Sequence, residues 1–237
     1  NTIINTIVAE SLRQFADELE NAENFETAIQ ELIKRVIKEH KRIIFNGNGY
    51  DDAWLFEAEK RGLLNNKTTP DALPALVAQK NIELFTAHKV YSVEELKARY
   101  EILSENYCKV INIEALTMLD MVNKDILPAV SSFSHSLCEA ALAKKTLCDE
   151  INCDYEAELV KDLSALTGAV FTKKKELEGD MIEAIECGCN TELAAFSKDK
   201  ILSCMTELRI LVDEMETKTE SSFWPYPSYG DILFSVK

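Results

Sequence analysis

The feature that most constrains the fold is a long stretch, residues 92–218, in which apolar residues recur every three or four positions. The stretch holds one proline and three glycines, so little in it disfavours a helix. This spacing is typical of amphipathic α-helices. Long helices joined by short turns bury such stripes by lying antiparallel, so we predict an elongated antiparallel helical bundle over 92–218. The stripe that opens it consists of Leu96, Tyr100, Leu103, Tyr107, Val110, Ile111, Met118, Leu119 and Val122.

Cap and turn signals divide this bundle into separate helices. Ser92 and Glu95 have the spacing of a capping box, which predicts that a helix starts there. Pro128 is predicted to end or kink that helix, because proline lacks an N–H group and clashes with the preceding turn. Further helices are predicted near 129–149, 155–186 and 191–218, with breaks near 152–154 and 187–190.

Residues 1–91 have a less regular helical pattern. Apolar stripes over 4–19 and 25–37 predict two amphipathic helices. Residues 42–45 form the only plausible strand, and 46–49 are predicted to form a turn, because Asn and Gly tolerate positive φ. Shorter helices are predicted near 51–61 and after Thr69-Pro70. The predicted fold class is therefore all-α (mainly), with an irregular N-terminal helical region and at most one short strand.

The last segment, residues 219–237, differs from the bundle in composition. Five aromatic residues fall within positions 223–234, and two prolines oppose a helix there. Disordered tails are poor in aromatic residues, so we predict that this tail docks on its own bundle, on a neighbouring domain or on another subunit. The residues predicted to form the docking surface or interface are Trp224, Tyr226, Tyr229 and Phe234.

Composition limits the possible partners. The chain has 26 basic and 41 acidic residues, a formal charge of −15, and this opposes binding to nucleic acid. No segment reaches the roughly 18 consecutive apolar residues of a membrane span, so no membrane partner is expected. Seven scattered cysteines, several of them within helical patterns, favour reduced thiols and a cytoplasmic location.

The residue patterns that could carry chemistry are all incomplete. Gly47-x-Gly49 lacks the third glycine of a phosphate-binding loop, and a structural turn is the simpler interpretation. Cys187-x-Cys189 has no second close cysteine pair with which to hold zinc. The three histidines stand apart in sequence, and none adjoins a nucleophile motif. We therefore assign no catalytic, cofactor-binding or metal-binding residue to this chain.

Several short stretches of the amino-acid sequence are similar, residue by residue, to sequences of a known family. They are NTIVAESL at 5–12, KRIIFNGNGY at 41–50, INIEALTM at 111–118 and WPYPSYGDILFSV at 224–236, with shorter ones at 68–74, 99–102, 107–109 and 125–129. Together they resemble the C-terminal region of type III glutamine synthetase, a bacterial long-chain glutamate–ammonia ligase. The resemblance covers nearly the whole chain and is weakest over 130–220.

The resemblance implies a role within a larger enzyme. Such an enzyme makes glutamine from glutamate and ammonia with ATP and magnesium or manganese, and it forms a double-ringed homo-oligomer. Residues 1–91 would then hold the end of the catalytic domain and a connecting helical region, followed by the bundle and the docking tail. The family's metal and nucleotide sites lie upstream, so the chain's partner would be that catalytic domain.

Two expectations follow for the chain itself. It begins at Asn1 within a helical pattern, so we expect it to be part of a longer protein. By itself it would be non-catalytic and serve subunit packing or support of the catalytic domain. The alternative from a different class is a free-standing helical scaffold or protein-interaction module whose tail binds a partner.

Overall fold

The computed structural model describes residues 1–234, so Ser235 to Lys237, the end of the predicted docking tail, lie outside the described residues. The chain is 79% helical. No strand occurs between residues 1 and 234. The predicted all-α class is confirmed.

The α-helices follow the periodicity of the sequence. Their bounds are α1 Thr2–Leu19, α2 Phe25–His40, α3 Asp52–Lys60, α4 Thr69–Ala72, α5 Gln79–Ala87, α6 Val93–Met121, α7 Leu127–Leu147, α8 Asp154–Glu183, α9 Asn190–Phe196, α10 Leu202–Lys218 and α11 Tyr229–Leu233. Short 3₁₀ turns occupy Lys41–Ile43, Leu73–Ala75 and Ala184–Glu186. Two π-helical turns occupy Val122–Ile126 and Ser197–Ile201.

The chain divides into two compact units. The first comprises residues 1–103 and the second begins at Ser104, so the division falls within α6. In the first unit, α1 packs against α2 and α5. In the second unit, α8 packs against α7 and α10.

The core of the second unit forms around a single row of side chains on α8. Leu163, Val170 and Leu177 are each 0% exposed and are spaced seven residues apart, so they lie along one line of the helix. Apolar side chains of α6, α7 and α10 and of the two π-helical turns also belong to this core, among them Ala115, Val130 and Leu208. Burial of a side chain of this size contributes roughly 1.5–3 kcal/mol, and this row therefore stabilises the whole unit.

An ion pair fastens the turn between α7 and α8. Lys144 near the end of α7 donates to Glu156, whose side chain is almost fully buried in the first turn of α8. The Lys144 ammonium holds the pKa of the Glu156 carboxyl below its usual range. A carboxylate is also favoured at this position by the positive end of the helix dipole.

The prediction of a strand at 42–45 is wrong, because these residues form no strand in the structure. Residues 41–43 form a 3₁₀ turn and Ile44 is extended without a partner strand. An isolated strand leaves its backbone polar groups unpaired. Here Arg61 supplies the partners, because its Nη1 donates to the carbonyl oxygens of Arg42 (3.3 Å) and Ile44 (3.0 Å).

Pro128 does not end the helix, which was one of the two predicted outcomes, and the other, a kink, stays a prediction. α6 passes through the π-helical turn at Val122–Ile126 directly into α7, and Pro128 lies in the first turn of α7. A π turn carries one extra residue and changes the hydrogen-bond pattern of the helix. Proline in the first turn that follows is tolerated, because its missing N–H is least needed there.

Two local features bear on the remaining sequence predictions. The capping box at the start of α6 is confirmed, since Glu95 N donates to Ser92 Oγ (3.1 Å) and Ser92 N donates to Glu95 Oε2 (2.8 Å). The helix α5 was not predicted, because its nine residues are too few for a clear apolar period.

The central row of α8 gives a stability prediction. Leu177→Ala should lower the free energy of unfolding by about 2–5 kcal/mol, because it leaves a cavity at a fully buried position. Ile182→Ala, on the same helix but 67% exposed, should change it by about 0.5 kcal/mol or less. Urea unfolding followed by circular dichroism measures both, and equal losses would contradict the assigned core.

Candidate functional site

The aromatic tail is anchored on the second unit by its first residues. The ring of Phe223 packs against Phe133 of α7, with centroids 5.3 Å apart. Trp224 is half-buried and also contacts the apolar core. Aromatic pairs of this kind add about 0.5–1.5 kcal/mol beyond the area they bury.

Tyr226 provides the polar link between the tail and the bundle. Its hydroxyl donates to Asp125 Oδ2 at 2.8 Å, and Asp125 lies within the π-helical turn between α6 and α7. Burial and the neighbouring Asp125 carboxylate raise the pKa of Tyr226 to about 12, because both oppose the phenolate. The hydroxyl therefore stays protonated and can donate at neutral pH.

The end of the tail, residues 228–234, forms a short helix and is largely exposed. Ser228 and Asp231 form a capping box that starts the short helix α11, after the two prolines that were expected to oppose a helix. Tyr229 and Phe234 are 84% and 77% exposed. Of the four predicted docking residues, Trp224 and Tyr226 therefore lie against the bundle and Tyr229 and Phe234 point to solvent. Their role at a docking surface or interface remains a prediction.

The loop at 46–51 in the first unit is organised by aromatic and charged contacts. Phe45 stacks on Trp54 with ring centroids 4.1 Å apart, and the Arg61 guanidinium lies 5.6 Å from the Trp54 ring. A Cβ atom at Gly47 would lie 2.7 Å from the Phe45 ring, so this close approach requires glycine. These contacts give the loop a structural explanation. The sequence analysis missed Arg61, which contacts the residues on both sides of the loop.

A polar cluster centred on Glu10 joins α1 to α5 in the first unit. Glu10 accepts hydrogen bonds from Arg13 (2.8 Å) and Gln14 (2.7 Å), and its Oε2 lies 2.7 Å from His88 Nε2. Arg13, then Gln14 and His88, hold the pKa of the Glu10 carboxyl far below its ordinary value of 4.5. The sequence showed the Glu10–Arg13 spacing but could not show that His88 lies beside it. No nucleophile is among these partners, so the cluster is suited to linking two helices.

Among residues 1–234, three potential metal ligands come together at one place, Glu176, Asp180 and Cys204, with ligand atoms within 4.8 Å of one another. Burial raises the pKa of the Cys204 thiol to about 11, and its Sγ lies 3.6 Å from the Lys173 carbonyl oxygen. Glu176 is paired with the Lys173 ammonium at 2.6 Å. Magnesium and manganese prefer oxygen ligands, so a protonated thiol and an already paired carboxylate do not fit them.

The remaining thiols are separate from this cluster. Cys187 is partly exposed and Cys189 is exposed at the start of α9, while Cys108 is buried with its Sγ 3.9 Å from the Asn190 carbonyl oxygen. Burial raises the pKa of the Cys108 thiol. All seven cysteines are present as free thiols.

Several large apolar side chains are exposed on α1. Its apolar stripe points outward, and Ile4, Val8 and Leu12 are 66%, 50% and 61% exposed. The residues of α1 that are withdrawn from solvent are partly polar, with Thr6 buried and Glu10 bonded to His88, and they also include Phe15 and Leu19, which are partly buried. Contiguous exposed apolar surface of this kind marks an interaction site in a stable protein. No helix within residues 1–234 is long and apolar enough to span a bilayer.

Residues 28–145 match the family model described as the glutamine synthetase C-terminal domain. This chain carries a glutamine synthetase C-terminal domain. This match confirms the resemblance to glutamine synthetase that the short sequence stretches indicated. The matched residues include most of α2, all of α3 to α6, the π-helical turn that holds Asp125, and most of α7.

Curated relatives extend the similarity of this glutamine synthetase domain over most of the chain. A glutamine synthetase from Butyrivibrio fibrisolvens is 39% identical over 88% of the chain. A type-3 glutamine synthetase from Dictyostelium discoideum is 32% identical over 98%, and a glutamine synthetase from Bacteroides fragilis is 27% identical over 98%. The chain spans 30%, 32% and 33% of the lengths of these relatives, about a third in each case.

The link between Tyr226 and Asp125 can be measured by a double-mutant cycle. Tyr226→Phe should lower the free energy of unfolding by about 0.5–1.5 kcal/mol, the net contribution of one hydrogen bond. In an Asp125→Ala background, Tyr226→Phe should have almost no further effect, because the acceptor of its hydrogen bond is already gone. Additive losses in urea unfolding would mean that the tail is held in some other way.

The Glu10 cluster makes a prediction about acid stability. A carboxyl whose pKa is lowered on folding stabilises the fold above its unfolded value, here 4.5, and that stability is lost as the pH falls. Glu10→Gln should therefore flatten the loss of thermal stability below pH 4.5. Glu31→Gln, at an exposed position on α2, is the matched control. Identical acid profiles for the two variants would contradict the assigned role of Glu10.

Proposed function

We propose that this chain is the C-terminal helical region of a type III glutamine synthetase, and that it supports the catalytic domain or packs subunits together without catalysing the reaction itself. The observation that carries this proposal is the outward-facing apolar stripe of α1. An amphipathic helix that leaves Ile4, Val8 and Leu12 at least half exposed needs a further partner to bury that surface.

Other large apolar side chains of the first unit are exposed as well. On α2, Phe25, Ile33 and Ile37 are each more than half exposed, while Leu32 on the inner side is buried. The segment after α2 adds Ile43 and Ile44, exposed by 59% and 50%. A surface of this extent fits a permanent interface, because obligate interfaces are more apolar than the rest of a protein surface.

The expected partner is the catalytic domain of the same protein, in its own subunit or in a neighbouring one. The match to a glutamine synthetase C-terminal domain supports this choice, as does a chain that covers about a third of its relatives. We propose that the complete protein makes glutamine from glutamate and ammonia with ATP and magnesium or manganese, as a cytoplasmic homo-oligomer. The cluster of Glu176, Asp180 and Cys204 does not fit those metals, so no catalytic step is assigned to residues of this chain.

The test uses the complete protein encoded by the gene that contains this chain. Val8→Asp places a charge within the apolar stripe, and Ala9→Asp places the same charge at the next position, outside the stripe. Val8→Asp should reduce both assembly, measured by light scattering, and ATP-dependent glutamine formation by about tenfold or more, because an unpaired charge would be buried. Ala9→Asp should leave both within about twofold, as surface substitutions usually do.

Two results would overturn the proposal. Normal assembly and activity of the Val8→Asp protein would show that the stripe is not part of an interface. Glutamine formation by the purified 237-residue chain alone would show that the region is catalytic. A gene that encodes only this chain would favour the free-standing scaffold instead.

A further inference from the structure

The second unit contains a cleft that the proposed function does not explain. It has a volume of about 680 Å³ and lies between α6 and α10, beneath the aromatic tail. Volumes of about 300–1,000 Å³ are typical of small-molecule sites. The first half of the tail is fixed beside it by the contacts of Phe223 and Tyr226, so the cleft is bounded by an anchored segment.

The floor of the cleft is apolar and adaptable. Met118 and Met121 of α6 and Met205 of α10 line it, together with Val122 and Ile126 of the π-helical turn. Methionine side chains adjust their shape to a ligand at little cost. π-helical turns inside α-helices occur frequently at functional sites. The floor therefore suits the apolar body of a small organic molecule.

Three aromatic residues of the tail line the opposite side. They are Trp224, Tyr226 and Tyr229. Tyr226 is held in place by its hydrogen bond to Asp125, and Tyr229 is largely exposed at the edge. The faces of such rings attract ammonium groups, and several rings around one cleft are the arrangement that recognises organic cations.

The charges at the edge of the cleft favour the same ligand. Glu114, Asp213 and Glu216 line it, and the one basic residue there is Arg209. Arg209 Nε lies 3.4 Å from Asp213 Oδ2, so its charge is offset by that carboxylate. Two negative charges are left over, and these attract a cation and repel an anion.

We propose that this cleft binds an organic cation, a protonated or quaternary amine attached to an apolar aryl or alkyl body. The apolar body lies on the methionine floor, and the ammonium group lies between the aromatic rings and the carboxylates of Glu114 and Glu216. This site is independent of the proposed function, because all of its residues belong to the second unit and none belongs to the stripe on α1.

The test uses the tryptophan that lines the cleft as a probe. The chain has two tryptophans, so Trp54→Phe leaves Trp224 as the sole tryptophan, and excitation at the red edge of the absorption band avoids the tyrosines. 4-Phenylbutylammonium, 4-phenylbutanol and 5-phenylpentanoate share one apolar body, a phenyl ring on a chain of methylene groups of equal length, and differ in charge. At low salt the ammonium compound should change the Trp224 fluorescence and bind about five to ten times more tightly than the alcohol, and the carboxylate should bind most weakly.

Substitutions of the carboxylates separate a local effect from the general acidity of the chain. Glu114→Gln and Glu216→Gln should each weaken binding of the ammonium compound by about threefold, while leaving the alcohol unaffected. Glu214→Gln, two residues away on α10 but outside the cleft, is the matched control and should leave binding unchanged. Calorimetry on the unsubstituted chain checks the fluorescence result.

The proposal would be overturned by any of four results. Equal affinity for the ammonium compound and the alcohol would mean an apolar cleft without cation selectivity. Equal weakening by Glu214→Gln and Glu216→Gln would mean unspecific attraction to an acidic protein. Absence of binding at about 10 mM would exclude even a weak site. A fluorescence change that depends on protein concentration would mean that a second copy covers the cleft.

Discussion

The fold of the second unit depends on the burial of one row of side chains, Leu163, Val170 and Leu177 on α8. The row is fully enclosed because α7 and α10 pack against α8. The turn between α7 and α8, the position of the tail and the cleft all depend on the arrangement of these helices. Lys144 and Glu156 fasten the turn that joins α7 to α8. The tail lies against this framework through Phe223 and Tyr226, and the cleft beneath it exists because these two contacts fix the tail beside α6 and α10.

The first unit shows the opposite arrangement, and this contrast connects the structure to its proposed role. On α1, Glu10 contacts His88, the residue that follows α5, while Ile4, Val8 and Leu12 are exposed. A stripe of large aliphatic side chains in water forfeits roughly 25 cal/mol for each Å² left exposed. A C-terminal domain of a larger enzyme has a partner that can recover this free energy, whereas an isolated scaffold protein has none in its own chain. The match to a glutamine synthetase C-terminal domain and the exposed stripe therefore support the same proposal from different sides.

Most helices could be predicted from the sequence, because their apolar period and caps are local signals. Ser92 and Glu95 are an example, since both hydrogen bonds of the predicted capping box form. Non-local effects could not be predicted. The segment at 42–45 has strand-like residues but no partner strand, and Arg61 pairs its carbonyl oxygens instead. Pro128 is accommodated by a π turn that no sequence pattern signals. The period on α1 predicted a helix correctly but not which side would face its neighbours, and aromatic content alone did not distinguish half-buried Trp224 from exposed Tyr229.

The measurement that tests the central claim most directly is a cryo-electron microscopy structure of the complete protein encoded by the gene that contains this chain. The account predicts that Ile4, Val8 and Leu12, exposed in the chain alone, are buried against the catalytic domain of the same subunit or of a neighbouring one. A complete enzyme in which these three side chains still face solvent would contradict the proposal that this region supports the catalytic domain or packs subunits through α1.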